Sequence, residues 1–261
     1  MKIYLYMKSI FIHEKYERKN VNMSDMLKEL LKEGASAAQV ELTDEQLNKF
    51  EKYYEYLIEK NKVMNLTAIT DEREVVYKHF VDSIALIPKM DLEEKKIIDV
   101  GTGAGFPGIP LAIVLDNAEF VLMDSLNKRI NFLNEVTKMC ELKNVSAIHA
   151  RAEELGRDVQ YREKFDICVS RAVANMSTLL EYCIPFVKVG GVFVSYKSGD
   201  IKEEIVAADN AQKQLFCKNK DVIKFSLPNT DINRSFVIFE KKKELNKKYP
   251  RQGSKPKKNP L

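Results

Sequence analysis

The stretch Asp99 to Gly108, DVGTGAGFPG, sets Gly101, Gly103 and Gly105 at alternate positions directly after the apolar run KIIDV. Glycine accepts φ > 0 and carries no Cβ, so such a turn lets backbone approach a ligand closely and aim N–H donors at it. Three spaced glycines after a first strand point to a nucleotide-type ligand rather than a bare turn, without choosing between NAD and S-adenosylmethionine. Nineteen residues past Gly105, Asp124 closes the run EFVLMD. A carboxylate there can accept from both ribose hydroxyls, and it can also cap the helix announced by Leu126, Ile130, Leu133, Val136 and Cys140; the two roles are compatible. After the next run, Ala150 to Glu154 (ARAEE) offers a backbone N–H and a carboxylate that could read an adenine edge, although alone it is an ordinary helix start.

These residues need a scaffold, and from Lys96 onward short apolar runs alternate with helical stretches: KIIDV, EFVLMD, VSAIHA, FDICVSRA, GGVFVSYK, DVIKFSL and SFVIFEK. Five strands with intervening helices predict a largely parallel sheet covered on both faces, an α/β fold that binds ligands at the carboxyl ends of its strands. The last two runs are separated by PNTDINR, too short for a helix, and are expected to pair antiparallel. Upstream, Thr43 with Gln46 forms a capping box before Leu47, Phe50, Tyr54, Leu57 and Ile58 on one helical face. Asp71 with Glu74 repeats the device, and Val76, Phe80, Ile84 and Ile87 mark a second helix ending at Pro88. The predicted organisation is therefore an extension over residues 1–22, disordered or upstream of a true start at Met23; a helical cap over 23–95; a catalytic domain over 96–240; and a basic tail over 241–261.

Composition narrows the setting. The chain of 261 residues carries a formal net charge of +4, but residues 241–261 hold +8 of it and the remainder is net −4. A flexible basic tail can draw a polyanion, and it can also be a plain solubilising end. Cys140, Cys168, Cys183 and Cys217 lie far apart without paired metal spacing, and read as reduced thiols of a cytoplasmic protein. Lys8 splits the N-terminal apolar stretch and no small-residue cleavage site follows, which argues against an export signal. The longest uncharged stretch, Val100 to Leu115, is broken by glycines and prolines and cannot be a membrane helix. Nothing indicates a metal, a membrane or an obligate protein partner.

Taken together, MNLTAI (64–69), KHFVDS (78–83), DVGTGAGFPG (99–108), MDSLNKRINFL (123–133), RAEE (151–154) and SRAVA (170–174) resemble the bacterial small-subunit rRNA guanine-N7 methyltransferase family, formerly called glucose-inhibited division protein B. The resemblance spans Met23 to Leu261. It implies a Rossmann-like class I methyltransferase with a seven-stranded sheet and an N-terminal helical extension. It also implies S-adenosyl-L-methionine as cofactor, and transfer to N7 of guanine 527 in 16S rRNA or the small ribosomal subunit. By position, Gly101, Gly103, Gly105, Phe106 and Asp124 belong to the cofactor site, Ala152 and Glu153 flank the adenine, and Arg171 lies beside the methionine part or the incoming nucleotide. Lys197, Arg234, Lys247, Lys248, Arg251 and Lys258 are candidates for holding RNA. Gly253 is displaced by one position from the family's tail pattern.

Guanine N7 has an in-plane lone pair and no proton to lose, so this chemistry needs alignment rather than a general base, and no catalytic acid or base is assigned. Asn65, His79 and Asp82 are candidates for orienting cofactor or guanine. The competing readings are a nicotinamide-dependent oxidoreductase on the same loop, and a non-catalytic RNA-binding assembly factor.

Overall fold

The computed structural model describes residues 23–171, 174–199 and 201–261; the first 22 residues, and Ala172 and Val173 of the SRAVA segment, lie outside the described residues. Seven strands form one sheet: β1 (Lys96–Val100), β2 (Glu119–Asp124), β3 (Val145–His149), β4 (Phe165–Ser170), β5 (Val187–Ser198), β6 (Cys217–Ser226) and β7 (Asn233–Lys241). Their order is β3-β2-β1-β4-β5-β7-β6, parallel through β5, with β7 antiparallel to both its neighbours. The expected antiparallel pair is thus present, because the link from Leu227 to Ile232 has room only for a turn. That turn is closed by Leu227 N–H to Ile232 O at 2.8 Å.

Period-2 alternation divides the strands between two apolar layers. Ile97, Leu122, Ile167, Val194 and Phe236 face the layer shared with the N-terminal helices, whereas Ile98, Met123, Cys168, Phe193 and Val237 face the other. Helices on both sides explain why the strands are apolar on both faces. Chain direction across the sheet reverses between β1 and β4, the switch point where open α/β sheets bind ligands. Ser170 Oγ donates to Val100 O across this seam at 2.8 Å.

The Thr43–Gln46 capping box forms in full and opens the helix Asp44–Met64, which Asn65 stops in the left-handed region at φ 52°. Asn61 then holds the following turn, its Oδ1 accepting from Leu66 N and Thr67 N. Tyr53, fully buried on this helix, donates its hydroxyl to Ala104 O and so pins the glycine loop to the cap. The second predicted helix is not continuous. Asp71 caps α-helical Glu72–Val75, a π-helical turn covers Val76–Val81, and α-helix resumes over Asp82–Ile84 before the 3₁₀ turn Ile87–Lys89. Such π turns interrupt the regular ladder, and they occur often at functional sites.

The tail departs from the flexible segment expected. β7 runs through Lys241, whose fully buried ammonium donates to Ile184 O and Val187 O and pairs with Glu163 at 2.5 Å. Leu245 and Tyr249 are buried in the second layer, Arg162 donates to the carbonyls of Leu245, Asn246 and Tyr249, and Arg157 to those of Lys248 and Pro250. Charge count in sequence could not reveal this docking, because its anchors come from other elements.

Candidate active site

At the carboxyl ends of β1, β2 and β3 lies a cavity of about 310 Å³, lined by Gly101, Asp124, Ala152 and Glu153 among others. Gly101 and Gly103 take φ of 75° and 64°, which side-chain-bearing residues adopt only with strain. Asp124, nearly buried, receives Gly103 N–H on Oδ2 at 3.0 Å and Leu126 N–H on Oδ1 at 3.0 Å. It therefore clamps the glycine loop and opens the helix Asn127–Met139, and Arg129 pairs with it at 3.0 Å. Glu153 is 4% exposed and held by Arg151 Nε at 2.7 Å.

Four of the predicted cofactor residues, Gly103, Gly105, Phe106 and Arg171, do not line this cavity. A Cβ on Gly105 would meet Ile109 at 2.7 Å, Tyr53 Oη at 2.9 Å and Leu133 at 3.0 Å, so this glycine permits packing under the loop. Phe106 lies behind the loop, stacked on the His79 ring at 4.5 Å and beneath the Arg171 guanidinium at 5.0 Å. Arg171 belongs to a neighbouring cleft. Sequence reasoning missed Ser125, Arg129, Arg151, Ser170, Leu179 and Tyr182 in the first cavity. Of these, Ser125, Arg129, Arg151 and Ser170 carried a signal, since they lie in the MDSLNKRINFL, RAEE and SRAVA segments.

The neighbouring cleft, about 620 Å³, meets the first cavity at Ala174, which lines both. Lys78, Arg171, Lys197 and Arg234 bring four cations to it, against Asp82 and Glu204. Asp82 is 2% exposed and joins two of them, accepting from Arg171 Nη1 at 3.0 Å and Arg234 Nε at 2.9 Å. Arg171 also donates to Lys78 O, a carbonyl of the π turn, at 3.0 Å. His79 Nδ1 lies 3.2 Å from Arg171 Nη2, which can only donate, and 3.1 Å from Lys78 O, which can only accept, while its Nε2 lies 2.8 Å from Thr67 Oγ1. Burial, reinforced by the charge of Arg171, lowers the His79 pKa to about 3, so the ring is neutral at physiological pH. His79 and Asp82 both line this cleft, whereas Asn65 serves as the helix stop.

Lys197 Nζ donates to Ala174 O at 2.9 Å and to Glu204 at 2.7 Å. Among the tail candidates, Lys247, Lys248 and Lys258 are exposed. Arg251, the remaining tail candidate, is partly buried and engaged within the fold. Its backbone N–H and guanidinium both grip the fully buried Glu181, with Nη2–Oε2 at 2.6 Å. A carboxylate buried to that degree requires a fixed cation. All four cysteines are buried, and burial pushes the thiols of Cys140 and Cys217 up to about 11 and about 12, which makes neither a nucleophile. Among the described residues no cluster of three or more His, Cys, Asp or Glu could hold a metal, and no helix is long and apolar enough to cross a membrane.

A sheet in this order with an antiparallel β7, a glycine turn after β1 and a carboxylate closing β2 is a Rossmann-like methyltransferase fold. The family described as rRNA small subunit methyltransferase G matches residues 46–233. A ribosomal RNA small subunit methyltransferase G from Lachnoclostridium phytofermentans is 52% identical over 88% of this chain and 95% of its own. Proteins of the same name are 51% identical in Acetivibrio thermocellus, over 90% of this chain and 97% of theirs, and 48% in Alkaliphilus oremlandii, over 90% and 99%. A solved SAM-dependent methyltransferase from Aquifex aeolicus covers 64% of this chain and 92% of its own, with 15% identity and a TM-score of 0.49. The chain belongs to the rRNA small subunit methyltransferase G family, and it is an enzyme that methylates small-subunit rRNA. The oxidoreductase and non-catalytic readings fall with that assignment.

Proposed function

We propose that this cytoplasmic enzyme methylates N7 of a single guanine, position 527 of 16S rRNA, on the small ribosomal subunit. One observation carries the reading: a glycine-loop cavity shares Ala174 of its wall with a cleft lined by four cations. The cavity fits the cofactor. Gly101 takes a positive φ on the cavity wall, Gly103 two residues on has open space where a Cβ would stand, and Asp124 and Glu153 supply carboxylates for ribose and adenine. S-adenosylmethionine, when bound, supplies an electrophilic methyl group on a sulfonium. Everything else falls to the protein. Gly101, Asp124, Ala152 and Glu153 orient the cofactor, and Arg171, fixed by Asp82, Lys78 O and His79, stands at the entrance to the substrate cleft. Neutral His79 takes no proton from N7, which has none; its part is to hold Arg171 over Phe106.

N7 faces the deep, narrow major groove of A-form RNA, so the target base must lie in a loop or be unstacked to enter the cleft. Lys197 and Arg234 sit where its nucleotide would be held, and exposed Lys247, Lys248 and Lys258 on the docked tail are proposed to meet phosphates further out. The division into cap, catalytic domain and tail is retained as an organisation, with the tail bound to the body. The test is transfer of labelled methyl from S-adenosylmethionine to unmodified small subunits and to naked rRNA, followed by cleavage selective for N7-methylguanine. Label at one guanine supports the reading; label elsewhere on the base overturns it.

A further inference from the structure

Resting on that reading, the geometry points to Lys197 and Glu204 as the pair that tells guanine from adenine. Lys197 links the residue shared by the two cavities to Glu204, its Nζ donating to Ala174 O at 2.9 Å and to Glu204 Oε1 at 2.7 Å. Lys197 is 13% exposed and Glu204 29%, so the pair is a partly desolvated feature of the cleft wall. Glu204 is also the one carboxylate of that wall with room for a ligand among the described residues, since Asp82 is buried and has both oxygens engaged by Arg171 and Arg234.

The edge of guanine runs in a matching order. N7 and O6 are neighbouring acceptors, followed by the donors N1–H and N2–H₂ on the Watson–Crick side. With N7 directed at the cofactor cavity through the Ala174 junction, O6 falls next along the base, where Lys197 donates. N1–H and N2–H₂ lie beyond it, where the Glu204 carboxylate accepts two parallel hydrogen bonds. Adenine also has N7, but it follows N7 with a donor, N6–H₂, and then an unprotonated N1. Against Lys197 and Glu204 both polarities are reversed, and two partly desolvated charged groups would be left facing like partners. In the unliganded cleft the two side chains satisfy each other. An unstacked base is read on this edge without competition from a pairing strand.

The experiment uses the full chain and small subunits reconstituted with rRNA in which the target guanosine, once mapped, is replaced by inosine, which lacks only the 2-amino group. Wild type should lose 10- to 100-fold in kcat/KM on the inosine subunits. Glu204→Ala should be slow on guanosine and show a guanosine-to-inosine ratio near one, with unchanged calorimetric affinity for S-adenosylmethionine, because Glu204 does not line the cofactor cavity. Glu204→Asp should restore part of the discrimination, an outcome that a purely structural ion pair would not give. A Glu204→Ala enzyme that keeps the wild-type ratio overturns the assignment while leaving N7 methylation intact. A wild-type enzyme that puts no label on guanine N7 removes the underlying reading and this inference with it.

Discussion

Replacing Asp82 tests whether the cleft is built around one buried charge. Its carboxylate is 3% exposed at the side chain and receives Arg171 at 3.0 Å and Arg234 at 2.9 Å, whose side chains are 19% and 20% exposed. Hydrogen bonds to charged groups contribute about 1.5–3 kcal/mol each. Removing one partner of a buried ion pair costs about 3–5 kcal/mol, because the charge left behind is neither solvated nor paired. Asp82→Ala strands two guanidinium groups, so its loss should sit near about 5 kcal/mol. Asp82→Asn keeps an acceptor for one arginine but turns an NH₂ toward the other, and should lose about 2–3 kcal/mol. With a urea m-value of about 1–3 kcal/mol/M, Asp82→Asn should lower the unfolding midpoint by about 0.7–3 M. Methyl transfer should fall in parallel, because Arg171 is no longer directed at the cleft. Followed by urea titration with circular dichroism, a midpoint within about 0.3 M of wild type would refute the reasoning. The carboxylate would then not be the hub of the cleft.

Four further outcomes follow from the same geometry. His79, at about 3 in the fold against 6.5 unfolded, binds its proton first in the unfolded chain, so its contribution is complete above about pH 6.5 and is lost as pH falls toward about 3. Near pH 5 this amounts to about 2 kcal/mol, and urea titrations of His79→Gln should be flatter over that window than those of wild type. Gly105→Ala forces contacts of 2.7–3.0 Å with Ile109, Tyr53 and Leu133 and should lower the melting temperature more than Gly103→Ala. Gly103→Ala meets open space, so it should cost only about 1 kcal/mol of backbone strain while weakening cofactor binding by calorimetry. Arg251→Ala leaves fully buried Glu181 unpaired and should destabilise by about 3–5 kcal/mol in thermal melts. Lys247→Glu with Lys248→Glu, on exposed positions, should spare stability and reduce RNA affinity and its salt dependence in filter binding.

What the sequence by itself determined is local. Apolar runs of strand length between helical patterns dictated the seven strands, and the short PNTDINR link dictated the antiparallel β6–β7 pair. The alternating glycines and Asp124 announced the cofactor end of the sheet because a turn's φ values and a strand's last residue are properties of neighbours in the chain. The tertiary structure alone decided which distant side chains share a charge. Asp82 meets Arg171 and Arg234 across 89 and 152 residues, and Arg251 reaches Glu181 across 70. No periodicity encodes those separations. An arginine at a strand end or in a basic tail has the same local signature whether it awaits a phosphate or neutralises a buried carboxylate, and burial of the partner, which only packing creates, separates the two.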